Sequence, residues 1–210
     1  MPKPVDRHYW LFLLVFEMKS FFFIIVFTLS LFNISYANIV MQDLIDVLVQ
    51  TNKQKSFEVA KNLKQLNQNA KTYDFVIRKA NLDIVDAKNI AEAIKKIDLN
   101  DGPKLHTISM SFNDNLKDEG VIAILNQIPK ETSVIAFVEC GITDKAGEAI
   151  IEWANLKEVK NLNGIYIEGN SFSKEMEQKF DQLRANNPNL TVLSEWASES
   201  FKEMVKKSYN

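Results

Sequence analysis

Few side chains in this sequence are of types that do chemistry, and none stands in an arrangement that would. The imidazoles are His8 and His106, and the single thiol is Cys140. A nucleophilic cysteine needs a cation or base beside it to form thiolate. Cys140 has no Lys, Arg or His at a helpful spacing, so it reads as a small buried hydrophobe. Glu131, Glu139 and Asp144 are carboxylates near one predicted turn, each with an ordinary solvated explanation. Asp114, Asp118 and Glu119 form an acidic loop of the kind that attracts Ca²⁺, but the alternating ligands and central glycine of a calcium loop are missing. His106 falls at the edge of a predicted strand and reads as a surface residue. No nucleophile elbow, H-E-x-x-H helix or phosphate loop occurs. The chain therefore reads as no enzyme, with no catalytic residue, no metal ligand and no cofactor.

Composition narrows the classes further. The 210 residues are 46% hydrophobic and 25% charged, enough apolar material for a packed core. A net charge of −2 argues against nucleic acid, whose affinity rests on clustered Lys and Arg. One cysteine excludes an internal disulfide framework and a cysteine-rich zinc site.

The N-terminus stands apart. Residues 21–32 read FFFIIVFTLSLF, with Lys19 before them and the small residues Ser35 and Ala37 after. A basic start, a short apolar run and a small-x-small end predict a signal peptide over residues 1–37, cut after Ala37. Residues 1–17 read as an over-long start, because Met18 opens a compact export signal by itself. The alternative joins residues 9–34 into an uncleaved membrane anchor. That helix carries Glu17 and Lys19 near its middle, at about 2.5–3.5 kcal/mol each. Cleavage removes three basic and two acidic residues, moving the net charge from −2 to −3. The expected product is exported, periplasmic or secreted, and meets a membrane only if the segment stays.

Behind that segment the chain repeats. Units begin at residues 72, 105, 132, 162 and 190, spaced 33, 27, 30 and 28. Each opens with a short alternating stretch, the signal of a strand, and then changes to helical spacing. The inward strand residues are Phe75 and Ile77, Ile108 and Met110, Ile135 and Phe137, Ile165 and Ile167, and Leu193 in the partial fifth unit. The helical faces are Ala87, Ile90, Ala91, Ile94 and Ile97; Val121, Ile122, Leu125 and Ile128; Ala146, Ala149, Ile150 and Trp153; and Met176, Phe180 and Leu183. Tandem βα units of this kind stack into a solenoid, parallel strands on the inner wall and helices on the outer one.

The pattern L-x-x-L-x-L-x-x-N/C-x-L resembles the leucine-rich repeat, and the run CGITDKAGEAI over residues 140–150 resembles its ribonuclease-inhibitor-like subtype. The resemblance covers residues 72–196. It implies an α/β leucine-rich-repeat solenoid with a concave strand face, a convex helix face and a scaffold or recognition role. Asn113 and Asn170 are then expected to bond the backbone of their own loop and of its neighbour, with Cys140 filling the same space. Thr72, Thr132 and Ala80 depart from the pattern, and Leu116 arrives one residue late.

An open-ended stack needs covers. Residues 38–71 are expected to form an N-terminal helical cap, with Val40, Leu44, Val47 and Leu48 on one helix and Phe57, Val59, Ala60, Leu63 and Leu66 on the next. Residues 197–210 are expected to cap the far end, Lys202, Lys206 and Lys207 lying solvated in the final turn.

Strand residues between the inward ones face the open wall. They are Asp74, Val76 and Arg78; Thr107, Ser109 and Ser111; Val134, Ala136 and Val138; Gly164, Tyr166 and Glu168; and Val192, Ser194 and Trp196. The middle of this set is apolar and nearly uncharged, and an apolar exposed patch marks a partner. The predicted function is binding of a partner protein, with Val134, Ala136, Val138, Tyr166 and Trp196 as anchors and Arg78 and Glu168 as a polar rim. Two bland readings compete: the wall is a tolerant β surface, or the C-terminal segment covers it. A structural cell-envelope protein and, behind it, an exported hydrolase are the alternative functions.

Overall fold

The computed structural model describes residues 40–67 and 69–208. The expected export segment over 1–37, and the alternative anchor over 9–34, lie outside them. Among the described residues the elements are α1 (residues 40–50), α2 (Gln54–Lys64), β1 (Thr72–Val76), α3 (Ile84–Leu99), β2 (Lys104–Ser109), α4 (Lys117–Leu125), β3 (Val134–Ala136), α5 (Asp144–Ala154), β4 (Gly164–Tyr166), α6 (Lys174–Asn186), β5 (Thr191–Leu193) and α7 (Glu199–Ser208).

The five strands form one parallel sheet in chain order, β1-β2-β3-β4-β5. Parallel neighbours need a crossover, and α3, α4, α5 and α6 supply the four. These helices pack on one another in the same order, so they form one layer against one sheet face. Phe75, Ile108, Ile135, Ile165 and Val192 stand in one row across the strands, all inside the core. Ile77, Met110, Phe137 and Ile167 make a second buried row beside it. Five short strands thus share one continuous apolar seam that none of them could bury alone.

The last strand differs from the sequence expectation. Val192, not Leu193, completes the buried row, and Leu193 is 39% exposed. Leu190, Val192 and Leu193 crowd three apolar residues into four positions, so composition leaves the phase of alternation open. Pairing with β4 selects it. Ser194, expected on the open wall, is buried, its hydroxyl donating to the Glu177 carboxylate.

The helices start where side chains satisfy their first amides. Asp83 accepts from the N–H groups of Val85 and Asp86 at 2.8 and 3.0 Å, and Asp86 accepts in return from Asp83 N–H at 3.1 Å. This reciprocal cap starts α3. Ser173 accepts from Met176 N–H at 3.2 Å to start α6. Asp118 reaches into the next unit, accepting from Thr143 N–H and Thr143 Oγ1, both at 2.7 Å, and from Ala146 N–H at 3.3 Å. Asp144 repeats that reach, accepting from Ser173 N–H at 2.8 Å, and hydrogen bonds from the Ser173 hydroxyl and N–H hold its carboxyl below the usual range. In α4 the buried residue is Ile124 rather than the expected Ile122, which is half-buried. Lys117 opens that helix with φ of 54°, and Val121, Leu125 and Ile128 are buried as expected.

Helices α1 and α2 cover the β1 end of the core. Val40, Met41, Leu44, Ile45 and Leu48 are buried, whereas Val47 is only partly so and Phe57 is exposed. Lys96 of α3 pairs with Asp43 at 3.1 Å, and Lys53 pairs with Asp86.

The strand ends carry a second repeat that apolar spacing does not reveal. Lys79, Phe112, Glu139 and Gly169 occupy equivalent positions, and all have left-handed backbone, with φ of 52°, 61°, 48° and 73°. The N–H of Lys79 donates to Ser111 O, that of Phe112 to Val138 O and that of Glu139 to Glu168 O. One residue further on, Asn113 accepts from Ala80 and Leu82 N–H and donates to Ile77 and Met110 carbonyls. Asn170 does the same with Cys140, Ile142, Phe137 and Ile167. Cys140, between them, donates through Sγ to Met110 O at 3.3 Å.

Candidate partner-binding face

The helix layer covers one face of the sheet. The opposite face carries the residues singled out as partner-binding, and its centre is not open. Helix α7 lies over it. Ser194–Ser198 leave the sheet after β5, and Ser198 starts the helix by accepting from Phe201 N–H at 3.1 Å. The helix then runs back toward β1. At one end the Trp196 and Phe201 rings lie 6.4 Å apart. At the other, Lys79 Nζ donates to the Lys206 carbonyl at 2.8 Å. Between them Lys206 Nζ meets Glu139 Oε1 at 2.8 Å, which raises the lysine pKa. A helix of 10 residues is about 15 Å long. Four strand spacings come to about 19 Å, so α7 nearly spans the sheet.

Residues 199–208 thus lie over the sheet face, and Lys206 of the expected solvated cluster is held in the ion pair with Glu139. Of the two bland readings, cover by the C-terminal segment is the one that describes the geometry.

A cavity of about 270 Å³ remains between α7 and the sheet. It brings together every candidate residue: Arg78, Val134, Ala136, Val138, Tyr166, Glu168 and Trp196 all line it. Ala136, Val138 and Glu168 are buried, and Arg78, Val134, Tyr166 and Trp196 are half-buried. Gly164 makes room for Tyr166, since a Cβ there would stand 2.8 Å from the ring. Arg78 Nε donates to Ser109 Oγ at 2.9 Å. Sequence reasoning missed Leu193, which takes the place expected of Val192, and Phe201 and Val205, which form the roof. The four-residue spacing of Phe201 and Val205 was the available signal. Glu139, weighed only as a catalytic carboxylate, proves to be the ion-pair partner of α7.

Glu168 is the unusual member. It is 5% exposed, and among the described residues its Oε2 has no hydrogen-bond partner. Desolvation raises its pKa. Its backbone carbonyl accepts from the Glu139 N–H at 2.9 Å.

The other candidate chemistry is absorbed by structure. Cys140 is fully buried, and burial pushes its thiol pKa up to about 12, the opposite of what a nucleophile needs. Asp118 is committed to the start of α5, and Glu119 pairs with Lys145 at 2.8 Å. Among the described residues no cluster of His, Cys, Asp and Glu is placed to hold a metal ion. His106 is the extra residue of a bulge in β2, and its exposed ring lies 3.1 Å from Asp74. Among the described residues no helix is long and apolar enough to cross a membrane.

No protein-family model matches the chain, and no curated protein matches it.

Proposed function

We propose that this chain is an exported recognition module: a short leucine-rich-repeat array of the ribonuclease-inhibitor-like type, capped by α1 and α2, that binds a partner protein through the sheet face opposite its helices. The observation that carries this reading is α7. An amphipathic helix of the chain itself already rests on that face, over the residues whose apolar character predicts a docking surface. Helix-in-groove recognition uses apolar anchors three or four residues apart, and Phe201 and Val205 have that spacing. The repeat assignment is supported by the in-register rows, the paired roles of Asn113 and Asn170 and the recurrent left-handed strand end.

The test places a photo-crosslinking residue at Tyr166 in the full chain, in its native cells. A discrete crosslinked partner is expected, and it should disappear when Val138→Asp is added to a chain that still folds. An unchanged crosslink in that variant ends the proposal. Mass spectrometry of the native N-terminus tests export, with a terminus at Asn38 the expected result.

A further inference from the structure

The fit of α7 to its seat is incomplete in one chemical respect. Two acidic residues follow the ends of β3 and β4, Glu139 and Glu168, joined by the bond from the Glu139 N–H to the Glu168 carbonyl. Helix α7 brings a cation to one of them only, Lys206 to Glu139. Toward the cavity that Glu168 lines, it presents Phe201 and Val205, and neither side chain can hydrogen-bond. Arg78 lines the same cavity but rises from the β1 end, three strand spacings or about 14 Å away at the backbone, and its Nε is turned to Ser109. A buried carboxylate oxygen without a donor is a cost the fold carries until a cation arrives. The helix is also held lightly, with no fully buried residue of its own.

Resting on the recognition role proposed above, we infer that the natural occupant of this face is a basic amphipathic helix of a partner protein, with an apolar residue where α7 places Phe201 and with two cationic side chains, one for Glu139 and one, in the place of Val205, for Glu168. Helix α7 is then a self-ligand that lacks the second cation. It shields the apolar face until a better-matched helix displaces it. Charge complementarity makes the exchange selective: an acidic or uncharged helix gains nothing over α7, whereas a basic one gains the Glu168 contact.

The experiment uses the full chain and two fluorescein-labelled peptides, residues 197–208 in native sequence and the same peptide with Val205→Lys. Fluorescence anisotropy reads binding, and hydrogen exchange over residues 199–208 reads release of α7. Competition from α7 is the same for both peptides. The lysine peptide is expected to bind about tenfold more tightly, the scale of one charge-assisted hydrogen bond. A Glu168→Gln chain, checked for folding by circular dichroism, should lose that advantage, while Glu148→Gln should keep it. Equal binding of the two peptides, or an advantage that survives Glu168→Gln, overturns the two-cation inference and leaves helix recognition standing. If neither peptide binds and exchange over α7 does not rise, the recognition reading falls as well.

Discussion

Asn113 and Asn170 stand on the same rung of two different units and make the same four backbone hydrogen bonds, two accepted and two donated. Each amide ties the strand end of its own unit to the loop of the unit before it. Asn113→Ala should lower unfolding free energy by about 3 kcal/mol, since several buried backbone groups lose their partner together. Asn170→Ala should cost a similar amount. Urea unfolding monitored by circular dichroism checks this, and a loss below about 1 kcal/mol for both would show that the rung is not a structural tie.

Cys140 should be silent in the native state. With its pKa pushed up to about 12 by burial, iodoacetamide at pH 8 should label it only as fast as the chain unfolds. The same shift links stability to alkali. The folded pKa lies above the unfolded one, so the thiol's contribution is whole below about pH 9 and declines toward pH 12. The limiting slope is about 1.4 kcal/mol per pH unit. The desolvated Tyr73, its pKa also raised, adds a loss that begins higher. A Cys140→Ser chain should lack the part that starts near pH 9, which thermal melts between pH 8 and 11 would reveal.

Glu168→Gln should stabilise the protein at neutral pH and leave it unchanged in acid. The folded pKa is raised, so stability is intact below the unfolded value, near 4.5, and falls as the carboxyl ionises inside the fold. The melting temperatures of the two proteins should therefore coincide at pH 4 and separate by pH 7. A constant difference across that range would contradict the assignment of an uncompensated charge.

Lys206→Glu should free α7 with little effect on the rest. The substitution turns the contact with Glu139 into repulsion, while the lost pair is partly exposed and worth at most about 1 kcal/mol. Hydrogen exchange over residues 199–208 should accelerate markedly, Trp196 emission should shift to the red, and protection in β2 and β3 should persist.

Gly141→Ala tests the loop that follows Cys140. Its φ is +67°, and a Cβ would lie 2.5 Å from the Asp114 carbonyl oxygen. Left-handed strain alone costs about 1–2 kcal/mol, and the backbone clash adds to it. A loss of at least about 2 kcal/mol in urea unfolding is expected.

Much of the fold was legible because it is written in apolar spacing. Rows such as Ile108–Ile135–Ile165 follow from strand alternation, and the faces of α3 and α6 from helical period. What escaped depends on partners far away in the chain. The phase of β5 is chosen by pairing with β4, because Val192 and Leu193 are equally apolar. In α4, Ile122 and Ile124 are equally apolar, and the fold buries Ile124. For the candidate site, alternation found the right sheet face and its lining residues. It was silent about the roof, since an amphipathic α7 fits equally well at the end of the row or over the sheet. Only the contacts of Lys206 with Lys79 and Glu139 decide it.

The recurrent left-handed corner has an evolutionary consequence. Lys79, Phe112, Glu139 and Gly169 share one backbone shape although a cation, an aromatic ring, an anion and a hydrogen atom sit on it. At the first three the corner's own N–H donates to a carbonyl of the adjoining unit, a backbone bond that does not dictate which side chain is displayed there. A duplicated unit inherits the corner ready-made and can vary its display at once, which makes this line of positions a natural place for new specificities to arise without rebuilding the frame.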